Sequence, residues 1–528
     1  MPDVLAPFTT VRAPTAMVAA ADQLAAQAGV TVLQNGGNAV DAALATSAVL
    51  AVVAPHMCGL GGDCFALVHH GGATPAALNG SGRAGSGADP DRLRAEGHTA
   101  MPFRGDIRAV PVPGYVDGWL ALHGRFGRLD TAALLAPAIT YAEDGFPASP
   151  LLVGGLPRLD EAELPPDWQE LRSQARRPGA RLRRPGVGRT LRAIAVDGRA
   201  GFYGGEFGAG LLALGAGEYT STDLERPLAD WVDPLVVDAW GRRVWSMPPN
   251  SQGYLTLAAA WIAAQLDLPA EPDDGRWAQL LVDAAVEASH DRPALLWDGA
   301  AGDALLAPAR LGPRRDAVGR RPPRRRVPAG SGDTTYLCAV DGDGMAVSLI
   351  QSNASGFGSH LFEPATGINL HNRGLGFSLE PGHPAEYGPG RRPPHTLSPA
   401  LVTEPGGDLA AVLGTQGGDG QPQILLQVLA RLLASGQSPG SAIGSPRWVL
   451  TGTGQGFDTW TAPETVVSIE RHAPAAWTDF LTRRGYPVVS AASFDHAFGH
   501  ANLITVTPDG VLAGAADPRA RIGAALGF

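Results

Sequence analysis

The sequence predicts an α+β protein in which β-sheets are covered by helices. Three observations carry that expectation. Two Ala-rich runs near the start, residues 17–34 and 39–54, have helical composition, and the second is apolar nearly all round, as a helix buried on every side must be. The last third holds two pairs of apolar, strand-forming runs joined by tight-turn residues. With 528 residues, 45% of them hydrophobic and 17% charged, the chain can bury a large core as two domains or one large enzyme, which excludes global disorder.

The elements follow in order. The opening MPDVLAPFTTVRAP lacks a basic stretch followed by an apolar core, so no signal peptide is expected. Residues 40–53 are too short, and with Asp41 too polar, for a membrane span; a buried helix is expected. Asn35-Gly36-Gly37-Asn38 separates the two helices and can cap both. The turn Cys58-Gly59-Leu60-Gly61-Gly62-Asp63 leads into a strand from Cys64 to His69. Glycines lying between a helix and the strand that follows reverse the order of a dinucleotide loop. Residues 115–300 alternate helical patterns with Pro/Gly turns. Eight arginines between Arg310 and Arg326, interleaved with Pro and Gly, predict a solvated, mobile linker over residues 305–330. Tyr336–Val340 and Met345–Ile350, joined by Asp341-Gly342-Asp343-Gly344, predict a hairpin. A helix is expected near 421–435, and a second hairpin from Ala501–Thr505 and Gly510–Ala515.

Composition excludes whole classes of chemistry. All 41 basic residues are Arg. Without Lys there is no Schiff-base, P-loop or kinase lysine, so PLP enzymes, Walker-type NTPases and kinases are out. A net charge of −10 argues against nucleic acid as a partner. Cys58, Cys64 and Cys338 form no zinc or C-x-x-C spacing, and so sparse a set fits a reducing cytoplasm. No His/carboxylate cluster has metal-ligand spacing, so neither metal nor other cofactor is expected.

Two hydroxyls stand in contexts that could make them nucleophiles. Ser438 lies in a G-x-S-x-G match, Gly436 to Gly440, but a helix precedes it and Pro439 follows, so it reads as a helix C-terminal turn. Thr334 lies in Gly330-Ser331-Gly332-Asp333-Thr334-Thr335, where the Arg-rich run meets a strand. A threonine at a chain terminus carries its own base, because an α-amine titrates near ~7.7–8.0. Cutting the bond before Thr334 would create that group, and the flanking glycines permit the tight turn by which its Oγ attacks the Asp333 carbonyl.

From QNGGNAVDAA at 34–43 to Asp517-Pro518-Arg519, motifs spread along nearly the whole chain resemble those of the γ-glutamyltransferase family. The resemblance rests on residues 34–43 (QNGGNAVDAA) and 55–62 (PHMCGLGG), then Gly82-Arg83-Ala84, Pro113-Gly114, and Met247-Pro248-Pro249 with Ser251-Gln252-Gly253. It continues through Asp333-Thr334-Thr335, Gly417-Gly418 and Asp517-Pro518-Arg519, all in family order. It implies a four-layer αββα sandwich of the N-terminal-nucleophile hydrolase type, made as one precursor and cut between Asp333 and Thr334. The fragments 1–333 and 334–528 would stay together as a heterodimer, which could itself dimerise, without nucleic-acid or membrane partners. Thr334 would be nucleophile and base, Gly417 and Gly418 the oxyanion donors, and Ser352 the processing hydroxyl. Arg83 would hold the donor's carboxylate, and His395 and Thr396 would line the donor pocket.

Departures from the family pattern redirect the substrate. Residues 371–378 (HNRGLGFS) correspond to the family's Asn-Asn-Gln-Met-Asp-Asp-Phe-Ser, so the Asp that holds the donor's ammonium is replaced by Gly376 and the Gln by Arg373. A pocket Asn is replaced by Ala354. The pattern is similar to the divergent cytosolic branch that resembles oxamate amidohydrolases and acylases. The implied activity is cleavage of an acyl bond of a compact anion through acyl-Thr334, with water as acceptor. Arg83 and Arg373 are expected to share one cavity, with no protein anion assigned to them. Three alternatives stand beside this reading: a C–C bond hydrolase removing an oxalyl-type group in actinobacterial secondary metabolism, a genuine γ-glutamyl transferase or hydrolase, and an unprocessed ligand-binding homologue.

Overall fold

The computed structural model describes residues 9–72, 74–160, 164–320, 334–451 and 466–528. Residues 321–330 of the Arg-rich run, and Asp333, lie outside them.

Two seven-stranded sheets stack face to face. The first runs Ala524–Gly527, Met17–Ala20, Thr335–Val340, Ala346–Ser352, Asp63–His69, Ala76–Gly80 and Asp230–Val232 in spatial order. The second runs Val11–Ala13, Leu512–Ala516, Ala501–Val506, Leu409–Thr415, Ala400–Thr403, Arg242–Ser246 and Leu235–Ala239. Every pairing within both sheets is antiparallel.

Alternation along the strands builds three cores. Phe65, Leu67, Tyr336, Cys338 and Ile350 of the first sheet meet Leu401, Val412 and Ile504 of the second. Their neighbours Ala66, Leu337 and Leu349 face helices Ala39–Val53, Tyr115–Phe126 and Thr131–Asp144. On the far side Val402, Leu413 and Leu503 face helices Gly253–Ala263, Gly275–Ser289 and Gln421–Leu429. The result is the expected helix–sheet–sheet–helix order. Both hairpins form where their turns predict them.

Helix Ala39–Val53 is buried at every position and starts with a capping box between Asn38 and Asp41. Its first N–H, on Ala39, donates to Asp341 Oδ2 at 2.8 Å, so the hairpin turn and the helix start fix each other. All three cysteines are free and buried. Among the described residues no helix is long and apolar enough to cross a membrane.

Three expectations are corrected. The first helix spans Gln23–Gln34, not 17–34; Met17–Ala20 is a strand held between Thr335–Val340 and Ala524–Gly527. A short, wholly apolar run suits a buried strand as well as a helix, and partners on both sides decide it. The expectation of a mobile linker over 305–330 does not hold for its first part, because Pro308–Ala317 is a helix. Leu311 packs inward, and Arg310 and Arg314 converge on Asp291. Ser438 is not the end of a helix but the N-cap of the next, Pro439–Gly444, its Oγ accepting from Ser441 N.

Candidate active site

The site forms at one end of the inter-sheet core, and strand register explains how. Thr335 pairs with Gln351, so Thr334 stands opposite Ser352 one step beyond the ladder. Ser352 in turn pairs with Asp63 on the next strand. Three polar side chains on one sheet face are thereby set side by side. Thr334 is fully buried, and its Oγ1 donates to Ser352 Oγ at 2.9 Å. Ser352 Oγ also accepts from Ala354 N at 2.8 Å and lies 3.5 Å from Arg373 Nη2. The glycine turn before Asp63 runs directly beneath this end: a Cβ at Gly62 would stand 2.4 Å from the Ser352 carbonyl oxygen, which only glycine tolerates.

Arg373 begins a short 3-10 turn, Arg373–Gly376, and points inward. Its Nη1 donates to Thr396 Oγ1 at 3.0 Å, and the residue is 1% exposed. Burial lowers its pKa to about 10, with Asp63 and Asp419 opposing that and Arg292 adding to it. Asp419, immediately after Gly418, meets Arg292 Nη2 at 3.3 Å in a buried ion pair. Backbone closes in behind the turn. A Cβ at Gly376 would lie 2.3 Å from the Pro394 carbonyl oxygen, and one at Gly374 2.6 Å from that of Ala109.

Asp63 is the anchor beside Thr334. Its Oδ1 accepts from Gly82 N at 2.9 Å and Gly114 N at 3.0 Å. Its Oδ2 lies 3.1 Å from His395 Nε2 and 3.5 Å from His371 Nδ1. Burial would push the Asp63 carboxyl up, but His371, His395 and Gly114 together hold it below the usual carboxylate range. His395 Nδ1 accepts from Leu397 N at 3.3 Å, which leaves its proton on Nε2, aimed at Asp63. Burial, then Arg373, depress His395 to about 3, so the ring is neutral.

Gly417 and Gly418 follow the strand Leu409–Thr415 with φ of 144° and 53°, a left-handed path open to glycine. Gln252 Nε2 donates to both Gly418 O and Thr396 O, at 2.9 Å each, and so ties this loop to the His395-Thr396 segment.

The structure thus brings Thr334, Ser352, Arg373, Thr396 and His395 into one connected group, with Gly417 and Gly418 on the adjoining loop. Arg83 is placed differently. Its Nη2 meets Asp230 at 3.1 Å, its Nη1 donates to Gly390 O at 3.1 Å, and Asp298 stands 3.8 Å away. The charges that act most on it are Arg392, Arg226, Asp298 and Asp230. The expectation that no protein anion meets the two arginines is therefore corrected. Asp230 claims Arg83, while Asp63 and Asp419 act on Arg373. Five residues had no role assigned from sequence: Asp63, Gln252, Arg292, Asp419 and His371, the last lying within the stretch 371–378. Asp63, Gln252 and Asp419 stand beside family glycines, which was the available signal; Arg292 carried none.

Comparison with known proteins adds three findings. A profile of the family described as Gamma-glutamyltranspeptidase matches residues 25–527. The chain is 37% identical to the glutathione hydrolase-like YwrD proenzyme of Bacillus subtilis and 37% identical to the oxamate amidohydrolase proenzyme of Klebsiella pneumoniae, in each case over 97% of this chain and 98% of the relative. Among solved structures, the cephalosporin acylase from Bacillus halodurans superposes with a TM-score of 0.90 at 33% identity, covering 100% of this chain and 98% of that one.

Proposed function

The chain belongs to the gamma-glutamyltranspeptidase family and has the sandwich of an N-terminal-nucleophile hydrolase, and from that premise we propose that it is a self-processing threonine amidohydrolase acting on a small carboxylate-bearing acyl donor. The observation that carries this reading is the direct chain Thr334–Ser352–Arg373–Thr396, in which the candidate nucleophile and a buried guanidinium share one serine hydroxyl. Scission before Thr334 turns its nitrogen into an amine. That amine takes the Oγ1 proton as the oxygen attacks the donor carbonyl, and returns it to the leaving nitrogen when the C–N bond breaks. The N–H groups of Gly417 and Gly418 carry the oxyanion. Water then cleaves the Thr334 ester by the same path.

Charge selects the donor. Arg373 offers a planar fork to a free carboxylate. An α-ammonium would meet that cation, with no carboxylate at Gly376 to compensate it. The Klebsiella pneumoniae relative named for oxamate supports a compact anionic amide.

The test has two readings. Mass spectrometry should find fragments 1–333 and 334–528, with Thr334→Ala remaining one chain. The processed protein should hydrolyse primary amides of short dicarboxylic acids faster than a γ-glutamyl anilide by roughly two or more powers of ten, since an unpaired buried charge costs several kcal/mol. Equal rates on the two would remove the donor assignment, and an active protein that stays uncut would remove the nucleophile.

A further inference from the structure

Two buried histidines beside this site have no work in the mechanism above. His500 immediately precedes the strand Ala501–Val506, so its side chain falls on the face of Asn502 and Ile504, toward the other sheet. Asn502 sets the level, because its Nδ2 donates to the Tyr336 carbonyl at 2.9 Å. Gly414, paired with Asn502, lies against the Tyr336 ring. One pleat further on, Gln416 N donates to His500 O at 3.3 Å, and Thr334 stands two residues before Tyr336. His500 therefore faces the inter-sheet space at the level of Thr334, next to Gly417 and Gly418.

His56 arrives from the opposite wall. Its carbonyl accepts from Phe357 N at 3.1 Å, and Met57 O accepts from Asn353 N at 3.0 Å, which binds it to the segment leaving Ser352. His500 is close enough to His56 to lower its basicity. All four ring nitrogens are buried, and none has a hydrogen-bond partner among the described residues. Buried polar atoms are almost always satisfied, so two unsatisfied rings together point to a bound group.

The rings set its chemistry. Burial holds both at about 3, so each is neutral, with one N–H donor and one acceptor. The titratable groups that act most on His56 are His500, His496 and Arg158, and those on His500 are Asp517, His496, Arg447 and Arg519. Arg447 and Arg519 are ion-paired with Asp517 and Glu470, so the hydrogen-bonding pattern rather than net charge selects the group. A carboxylate would use the two donors and leave the two acceptors against its oxygens. A neutral nitrogen or oxygen carrying protons uses both kinds.

We propose that His56 and His500 form the leaving-group subsite, accepting from the NH2 of a primary amide, donating to its nitrogen once the tetrahedral intermediate restores the lone pair, and then hydrogen-bonding the water that replaces it. The proposal rests on Thr334 as nucleophile. The amide C–N bond breaks as the Thr334 ester forms, the Thr334 ammonium supplies the proton, and ammonia departs; the imidazoles orient and transfer nothing.

The test uses the self-cleaved protein and its fastest donor of any class. Hydroxylamine, a small neutral N–H nucleophile, should intercept the acyl-enzyme with saturation; strictly linear hydroxamate formation in the wild type would overturn the subsite. His500→Phe and His56→Phe should lower kcat on primary amides by roughly 10–100-fold, the loss of one or two hydrogen bonds. KM and inhibition by a short dicarboxylate should be unchanged, and His500→Gln should recover part of the rate. Full activity of fully processed variants, or an equal loss on an N-aryl amide of the same acid, would also overturn it. Failure of the donor reading appears separately, as a wild type that ignores anionic amides while the saturation test still reports on its best donor.

Discussion

Under the proposed function, Arg373 is the side chain on which substrate choice would turn. It is buried, donates to Thr396 and approaches Ser352, whose hydroxyl also meets Thr334. Arg83 is occupied by Asp230. Arg373→Gln should therefore lower kcat/KM on the best anionic donor by roughly 10–100-fold, one charged hydrogen-bonded contact, with self-cleavage intact. Arg83→Ala should cost several-fold less. Equal losses, measured on fully processed protein, would put both arginines on the substrate. Family order located Thr334, Ser352, Arg373, His395 and Thr396 from sequence, because each sits in a motif. The direction of Arg83 was hidden, since its partner Asp230 lies 147 positions away in the chain. Asp63 was hidden likewise, its partners His371 and His395 being brought to it only by folding.

At the scale of an element, the turn Arg373–Gly376 determines what the pocket can become. The Pro394 carbonyl occupies the space a side chain at 376 would need, and that of Ala109 does the same at 374. Gly376→Asp should therefore not confer γ-glutamyl turnover. It should lower stability by about 1–3 kcal/mol, the usual range for an overpacked site, in denaturant unfolding. A variant of unchanged stability that gains γ-glutamyl hydrolysis would mean that the turn yields freely. Elements with their own local signals were legible. Asn38 announces the helix Ala39–Val53, and the Asp-Gly turn announces its hairpin. Met17–Ala20 was not, because four apolar residues carry no period and its strand form depends on partners more than 300 residues away. Pro308–Ala317 was obscured by its arginines, whose counter-charge, Asp291, lies on another segment.

Across the whole molecule, buried neutral imidazoles make the fold sensitive to acid. Burial holds His56, His395 and His500 at about 3, against ~6.5 in an unfolded chain. Below pH ~6.5 the unfolded chain takes up protons that the folded one refuses, so stability falls as pH drops toward 3. The slope is about 1.4 kcal/mol per pH unit for each ring. Asp22, raised by burial to about 6, acts with the opposite sign between there and the ordinary carboxylate value and offsets one ring over that interval. Asp63, held low, loses its contribution only below the usual carboxylate range. Denaturant midpoints should fall steeply from pH 6.5 to 5, and His500→Gln should flatten the slope; a flat wild-type profile would contradict the neutral rings. The strand order has a different consequence. In the first sheet Met17–Ala20, from before Thr334, lies between Ala524–Gly527 and Thr335–Val340, from after it, and the second sheet also draws strands from both sides. Neither part can leave without tearing both sheets, so scission would not loosen the molecule. It would change the molecularity of folding: first order for one continuous chain, second order for two, so that a cut molecule, once unfolded, depends on a chance encounter to return.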